Sequence, residues 1–146
     1  MHDTMLLCTF RVATLEFGVE VMKVQEVLRA QSMTVVPLAP DAISGLVNLR
    51  GQIVTAIDMR RRLGLADRDP TVAAMNVIVR TDDGAVSLLV DDIGDVIEAD
   101  PEATEPVPAT VAPALRALIS GVQRTAHSLL LVLDPEAAAD LSAVPT

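Results

Sequence analysis

The side chains that could do chemistry are concentrated in an acidic stretch near the middle of the chain. Seven carboxylates follow one another there without an intervening base: Asp91, Asp92, Asp95, Glu98, Asp100, Glu102 and Glu105. Two carboxylates can act as general acid and general base when they lie in a cleft and their environments make the two pKa values different. On one regular strand Asp91 and Asp95 would share a face and Asp92 would point the other way. Because charge runs are usually solvated or interactive, we interpret the stretch as an acidic strand edge and loop, or as an interaction surface.

The alternative for this stretch is a small carboxylate-dependent hydrolase or metal-dependent enzyme that uses Asp91, Asp92 and Asp95. Their spacing does not follow the calcium-loop pattern, in which acids alternate and a distant Glu completes the set. His2 lies near the terminus and His127 lies in a polar turn, and no nucleophile motif accompanies either one. We therefore predict no enzyme, no catalytic residue, no metal and no cofactor.

Arg50 is the residue most suited to binding, because a tight turn would present it to solvent. It lies in the segment Leu46-Val47-Asn48-Leu49-Arg50-Gly51-Gln52. An arginine anchors protein interfaces well, since its planar fork makes several hydrogen bonds and its stem packs. Pairing with a nearby acid would explain it equally well. Val24, Glu26 and Val27 pose a similar question, since core packing explains the two valines, whereas Glu26 must be exposed or paired.

The composition bounds the classes of protein that these residues can belong to. The 146 residues are 51% hydrophobic, which is ample for one domain with its own core. The net charge of −9 and the two aromatic residues disfavour nucleic-acid binding. Apolar runs are too short to span a bilayer, and the start of the chain lacks a secretory signal. With Cys8 as the only cysteine, we predict a cytoplasmic protein.

The elements that must position these residues are mostly short strands. Alternating patterns over 6–12 and 15–21 predict a hairpin with its turn at Ala13-Thr14. Val24, Val27 and Leu28 follow at helical spacing and predict a short helix. Asp41 could cap one helical turn that contains Ile43. A second hairpin around Arg50 is predicted from residues 46–49 and 53–59. The loop that follows it, near 63–72, is the one boundary between subdomains that we expect.

The second half of the sequence also predicts short strands joined by tight turns. Residues 76–80 and Asp83-Gly84 predict another hairpin, whose second strand would run from Ala85 to Ile97 with a bulge or bend at Gly94. Proline-rich residues 100–113 predict an irregular connection, and residues 115–119 one helical turn. A last strand pair over 121–124 and 129–133 precedes a small helix that begins at Asp134-Pro135. Many short strands predict barrels or a sandwich, and no repeat of fixed period is visible.

Four segments, read in order, resemble the CheW family of chemotaxis coupling proteins. The first is Phe17-Gly18-Val19-Glu20-Val21 with Lys23-Val24-Gln25-Glu26-Val27. The most specific runs from Val36-Pro37-Leu38-Ala39-Pro40 through Ile43-Ser44-Gly45-Leu46-Val47-Asn48-Leu49-Arg50-Gly51 to Ile57-Asp58-Met59-Arg60. The third is Leu88-Leu89-Val90-Asp91-Asp92-Ile93 with Asp95-Val96-Ile97, and the fourth is Ile119-Ser120-Gly121-Val122 with Leu129 to Asp134. Together the four segments span nearly the whole chain.

The resemblance implies a mainly β fold of two small SH3-like five-stranded barrels packed on a shared hydrophobic core, with a few short helices. It implies one domain over residues 1–146, built of two subdomains. It also implies a non-enzymatic adaptor that binds the regulatory domain of a CheA-type histidine kinase and the cytoplasmic tip of chemoreceptors, in arrays at the inner face of the membrane. An adaptor of another chemosensory system, for pilus motility or development, is the alternative. The interface residues carried over are Val24, Glu26, Val27, Asn48, Leu49, Arg50 and Val77.

Overall fold

The structure is a computed structural model that describes residues 4–126 and 128–141. Within them the chain forms the strands β1 (Met5–Val12), β2 (Leu15–Glu20), β3 (Val24–Leu28), β4 (Ile43–Leu49), β5 (Gln52–Asp58), β6 (Met75–Thr81), β7 (Gly84–Val90), β8 (Asp92–Ala99), β9 (Ile119–Arg124) and β10 (Leu129–Leu133). The helices are α1 (Met59–Arg62), α2 (Pro113–Arg116) and α3 (Pro135–Ala139), with 3-10 segments at Val21–Lys23 and Pro101–Ala103. No helix in these ranges is long and apolar enough to cross a bilayer.

The strands form two five-stranded sheets, each of which draws on both halves of the chain. Sheet 1 has the order β8-β1-β2-β10-β9, and sheet 2 has the order β3-β6-β7-β5-β4. Neighbours are antiparallel except for the pairs β2–β10 and β5–β7. In each sheet the chain beyond one edge strand returns to the other edge, through the bridge of Thr34 with Leu46 and that of Glu105 with Val122. The connection near 63–72 therefore joins the two halves of the sequence and does not separate the two sheets.

The apolar side chains form one core between the sheets and a smaller core within each sheet. The shared core holds Phe10 and Phe17 of sheet 1, whose rings stack with centroids 5.5 Å apart, against Val77 and Leu88 of sheet 2. The smaller cores group Leu7, Leu130 and Val132 in sheet 1, and Val47, Leu49, Val54, Ala56, Ile78 and Leu89 in sheet 2. This arrangement confirms the predicted mainly β fold, with two five-stranded units on a shared core and a few short helices.

The first three strands of each half repeat the same register. Arg11 lies opposite Glu16 in the β1–β2 hairpin, and Arg80, 69 positions later, lies opposite Ala85 in the β6–β7 hairpin. The same offset of 69 positions takes β3 onto β8, and the pairing of each with its neighbour carries a register shift at the same place. The two halves thus share one strand plan and exchange strands to build the sheets.

The last two strands of each half repeat with a different offset. Asn48 lies opposite Ile53 in the β4–β5 hairpin, and Arg124 lies opposite Leu129 in the β9–β10 hairpin, both 76 positions later. The change from 69 to 76 arises because the connection between β8 and β9 is longer than that between β3 and β4. Two offsets in one repeat explain why the sequence shows no fixed period.

Most predicted hairpins are confirmed. The turn between β1 and β2 is at Ala13-Thr14, where Ala13 has a φ of 54°. The turns after Leu49, after Thr81 and after β9 also lie where the patterns place them. Asp134 caps α3 as predicted, since its side chain accepts a hydrogen bond from the Glu136 backbone amide.

The predicted helix around Val24 is wrong, because this segment is strand β3. Val24 pairs with Val79 and Val27 pairs with Val77, and a register shift between them inserts one extra residue. An inserted residue puts positions three apart on the same face of a strand, which imitates helical spacing. Pairing with β6 in a sheet therefore overrides the local pattern.

Two further element predictions are wrong. The strand from Ala85 to Ile97 is two strands, since the chain leaves β7 in sheet 2 at Asp91 and enters β8 in sheet 1. The register of β8 against β1 does shift beside Gly94, as predicted. Ile43 begins β4 instead of lying in a helical turn, because β4 needs its full length to pair with β5.

Candidate functional site

The Arg50 turn is a two-residue hairpin connection that projects a cation from the end of β4 and β5. Both central residues are left-handed, with φ of 51° at Arg50 and 89° at Gly51, as in a type I′ turn. Asn48 holds the turn from within, because its Oδ1 accepts a hydrogen bond from the Gly51 amide at 3.0 Å. A left-handed arginine carries a conformational cost, and such costs are concentrated at functional positions.

Glu26 holds the Arg50 side chain in place. An Arg50 Nη2 hydrogen donates to the Glu26 carboxylate, which forms an ion pair across the two edges of sheet 2, from β3 to the β4–β5 turn. The Arg50 side chain is 74% exposed and that of Glu26 is 20% exposed. One face of the guanidinium is thus oriented by a half-buried acid, and the rest stays open to a partner.

The other predicted interface residues are mostly beneath this surface. Val24 and Val27 are half-buried and pack on the shared core, and Leu49 is buried in the core of sheet 2. Val77 is fully buried opposite Val27, so its side chain supports β3 and presents no surface. The structure brings Glu26, Asn48 and Arg50 together around one turn, with the valines as their support.

The carboxylates of the acidic stretch do not converge. Asp91 is turned into the molecule, where its carboxylate accepts hydrogen bonds from Arg60 at 2.6 Å, Arg68 at 2.8 Å and the Ala13 amide at 2.6 Å. Asp92 and Asp95, in contrast, are on the exposed side of β8. Asp91 and Asp95 were expected to share a face of one regular strand. They do not, because the chain passes from sheet 2 to sheet 1 between them.

Asp91 is a structural acid with a strongly lowered pKa. Burial opposes its ionisation, but the hydrogen bonds from Arg60, the Ala13 amide and Arg68 together outweigh burial and lower the pKa to about 2. These donors come from α1, the β1–β2 turn and the 63–72 connection, so Asp91 ties both sheets together. Sequence reasoning missed this cluster; the acid itself stood out, but nothing local pointed to Arg60 or Arg68.

The three consecutive arginines of α1 have three separate partners. Arg60 pairs with Asp91, and Arg61 pairs with Asp67 at 3.0 Å. Arg62 is buried and donates to the backbone carbonyls of Ala137 and Asp140 at the end of α3, at 3.1 and 3.2 Å. Burial lowers the pKa of Arg62, and the charge of Asp140 opposes that effect. The run is therefore built into the fold and does not form a basic patch.

Metal binding and thiol chemistry gain no support from the geometry. In residues 4–126 and 128–141, no group of three His, Cys, Asp or Glu side chains is placed to hold a metal ion. His2 and His127 lie outside the described residues. Cys8 is buried, and burial raises the pKa of its thiol, which disfavours the reactive thiolate.

Comparison with known proteins gives consistent matches over almost the whole chain. The CheW-like domain model matches residues 6–142. The probable chemotaxis protein CheW of Rhizobium etli is 29% identical over 131 residues, which are 90% of this chain and 84% of that protein. Chemotaxis protein CheW of Bacillus subtilis is 30% identical over 143 residues, 95% of this chain and 92% of that protein. The crystal structure of the scaffolding protein TtCheW from Thermoanaerobacter tengcongensis has a TM-score of 0.86 at 26% identity, covering 99% of this chain and 98% of that one.

Proposed function

The chain belongs to the CheW family, and from this membership we propose that it is a non-enzymatic adaptor that couples chemoreceptors to a CheA-type histidine kinase. One surface would bind the regulatory domain of the kinase and another the cytoplasmic tip of the receptors. Simultaneous binding raises the effective concentration of each partner for the other, so modest separate affinities can sum to a durable array. The adaptor would then be recruited from the cytoplasm to receptor arrays at the inner face of the membrane.

The observation that carries this proposal is the Arg50 turn. Arg50 keeps a left-handed backbone and a 74% exposed side chain, yet Glu26 and Asn48 fix the turn and the guanidinium. An oriented, exposed arginine has little rotational freedom to lose when a partner binds, which favours affinity. A pre-oriented, exposed cation on a hairpin turn suits protein recognition.

The test is affinity capture of the kinase regulatory domain and of a receptor-tip fragment by Arg50→Gln and Arg50→Glu variants. We expect at least a tenfold loss of affinity for one partner, since interface arginines commonly contribute about 1–2 kcal/mol or more. The matched control is Arg124→Gln, whose side chain is 75% exposed and also ion-paired, with Glu105 at 2.6 Å. Normal binding of both partners by the two Arg50 variants would refute the assignment of this surface.

A further inference from the structure

The strand repeat assigns Glu26 a counterpart in sheet 1, and that counterpart is Asp95. The two residues are 69 positions apart, in β3 and β8, and each lies at the register shift of its strand. Glu26 pairs with Arg50. Asp95 is exposed, and within residues 4–126 and 128–141 its carboxylate has no hydrogen-bond or ion-pair partner; its backbone carbonyl accepts a hydrogen bond from the Thr9 hydroxyl at 2.5 Å. Sheet 1 therefore has an acid at the position equivalent to Glu26, but within the described residues no cation pairs with it as Arg50 pairs with Glu26.

Ala126 is in the place where a matching cation would stand. The β4–β5 and β9–β10 hairpins match residue for residue at an offset of 76, which takes Arg50 onto Ala126. The hairpin in sheet 1 is closed by the Thr125 amide, which donates to the Ser128 carbonyl at 2.9 Å, just as Leu49 pairs with Gln52 in sheet 2. Alanine at this position does not supply the long side chain that Arg50 supplies in sheet 2.

An open cavity of about 500 Å³ lies at this end of sheet 1. Its lining includes Asp95, Glu16, Thr9, Thr125 and Ser128, above an apolar floor that includes Leu130. Two counterparts in sheet 2 are larger apolar residues of its core, because Ile78 replaces Thr9 and Leu49 replaces Thr125, and the apolar Ala85 replaces the acid Glu16. The cavity therefore arises from smaller or more polar residues at equivalent positions.

We propose that this cavity accepts an arginine side chain from a partner protein, which pairs with Asp95 as Arg50 pairs with Glu26. The charge supports a cation, since Glu16, Asp92 and Asp95 line the cavity and, among the lining residues that the structure describes, Arg11 is the one base. Arg11 is itself 3.8 Å from Asp92. An arginine stem would pack on the apolar floor and its planar fork would donate to Asp95, while Glu16, which accepts a hydrogen bond from the Ser128 hydroxyl at 2.8 Å, would add negative charge.

The first test needs no partner protein. Amide chemical shifts of the full chain are followed by NMR while N-acetyl-arginine methylamide is added, with the neutral isostere N-acetyl-citrulline methylamide as the matched probe. We expect saturable shifts at Thr9, Asp95 and Ser128 with the arginine derivative alone. The shifts should disappear in Asp95→Asn and in Ala126→Arg. Equal shifts with both probes, or arginine-specific shifts that survive in Asp95→Asn, would overturn the proposal.

The second test fills the cavity from within the chain. Ala126→Arg places a cation at the position equivalent to Arg50, so we expect a thermal midpoint roughly 2 °C higher than that of Ala126→Gln. In the Asp95→Asn background this difference should vanish. An equal midpoint for the two Ala126 variants in the wild-type background would show that position 126 does not reach Asp95.

The third test identifies the source of the arginine and rests on the proposed function. The kinase regulatory domain and the receptor-tip fragment are each titrated with the Ala126→Arg and Ala126→Gln variants. We expect one of them to bind Ala126→Arg at least fivefold more weakly. Unchanged binding of both would reject a partner arginine, even if the arginine derivative binds. If neither fragment binds the wild-type chain, the proposed function fails, whereas the first two tests still decide whether the cavity is an arginine site.

Discussion

Asp91→Asn removes the charge that joins α1, the 63–72 connection and the β1–β2 turn. The side chain of Asp91 is 9% exposed and that of Arg68 is 10% exposed, so the substitution leaves a buried guanidinium with Asp58, at 4.0 Å, as its remaining counter-charge. Removing one partner of a buried pair costs about 3 kcal/mol or more. We expect a loss of about 3 kcal/mol at pH 7, a large share of the stability of a domain of this size.

The pH dependence gives this prediction a signature of its own. The pKa of Asp91 is lowered from the ordinary 3.8 to about 2 in the folded protein. A group with a lowered folded pKa stabilises the fold above its unfolded pKa and loses that effect as the pH falls through the folded pKa. Asp91 therefore contributes about 2 kcal/mol above pH 5, and about 1 kcal/mol of this is lost by pH 3.

The assay is urea unfolding of both proteins at pH 7, 5, 4 and 3. The gap in unfolding free energy between wild type and Asp91→Asn should narrow by about 1 kcal/mol between pH 5 and pH 3. The matched control is Asp92→Asn, the neighbouring acid with a 63% exposed side chain, which should change stability by less than about 0.5 kcal/mol. A gap that stays constant down to pH 3, or a loss at pH 7 no larger than that of the control, would refute the reasoning.

Two further predictions concern the backbone around the sheet 2 edges, and both are checked by thermal and urea unfolding. Gly45→Ala should destabilise the protein by about 2 kcal/mol, because a Cβ there would lie 2.6 Å from the Thr34 carbonyl oxygen and would break the bridge that Thr34 makes with Leu46. Gly51→Ala is the control, with a φ of 89° but no atom within 4 Å of the added Cβ; a loss as large as that of Gly45→Ala would contradict the steric explanation. Leu38→Asn should raise stability by about 0.5 kcal/mol, because Leu38 has a φ of 62° and is fully exposed, so asparagine relieves backbone cost and loses no burial. A lower thermal midpoint would instead show that the Leu38 side chain stabilises the folded chain.

Local patterns in the sequence predicted the hairpins well, because a hairpin is decided by its own turn and alternation. The turn at Arg50-Gly51 and the cap at Asp134 need no distant partner to form. The pairing of Arg50 with Glu26 was one of two explanations that the sequence left open. The structure supplies the pair, because the two edges of sheet 2 approach each other only after the sheet has curved.

Predictions failed where one element depended on another far along the chain. The spacing of Val24 and Val27 resembled that of a helix. The extra residue in β3 that produces this spacing can be recognised only from the pairing of β3 with β6. Asp91 looked like one more acid on an exposed strand, since nothing near it in sequence reveals Arg60 or Arg68. Its burial follows from the change of sheet between β7 and β8, which alternation within a single strand cannot show.

The sequence by itself determined the strand-rich composition, the hairpins, the exposed arginine at a tight turn and, through its motifs, the family. The tertiary structure alone decided that each sheet takes strands from both halves, that Val77 is interior and that Asp91 is a buried link. It also decided that Asp95 occupies the place of Glu26, with Ala126 at the position equivalent to Arg50. The physical reason is that turns and alternation are local, whereas burial and ion pairing depend on which strands become neighbours, and that choice minimises the exposed apolar surface of the whole chain at once.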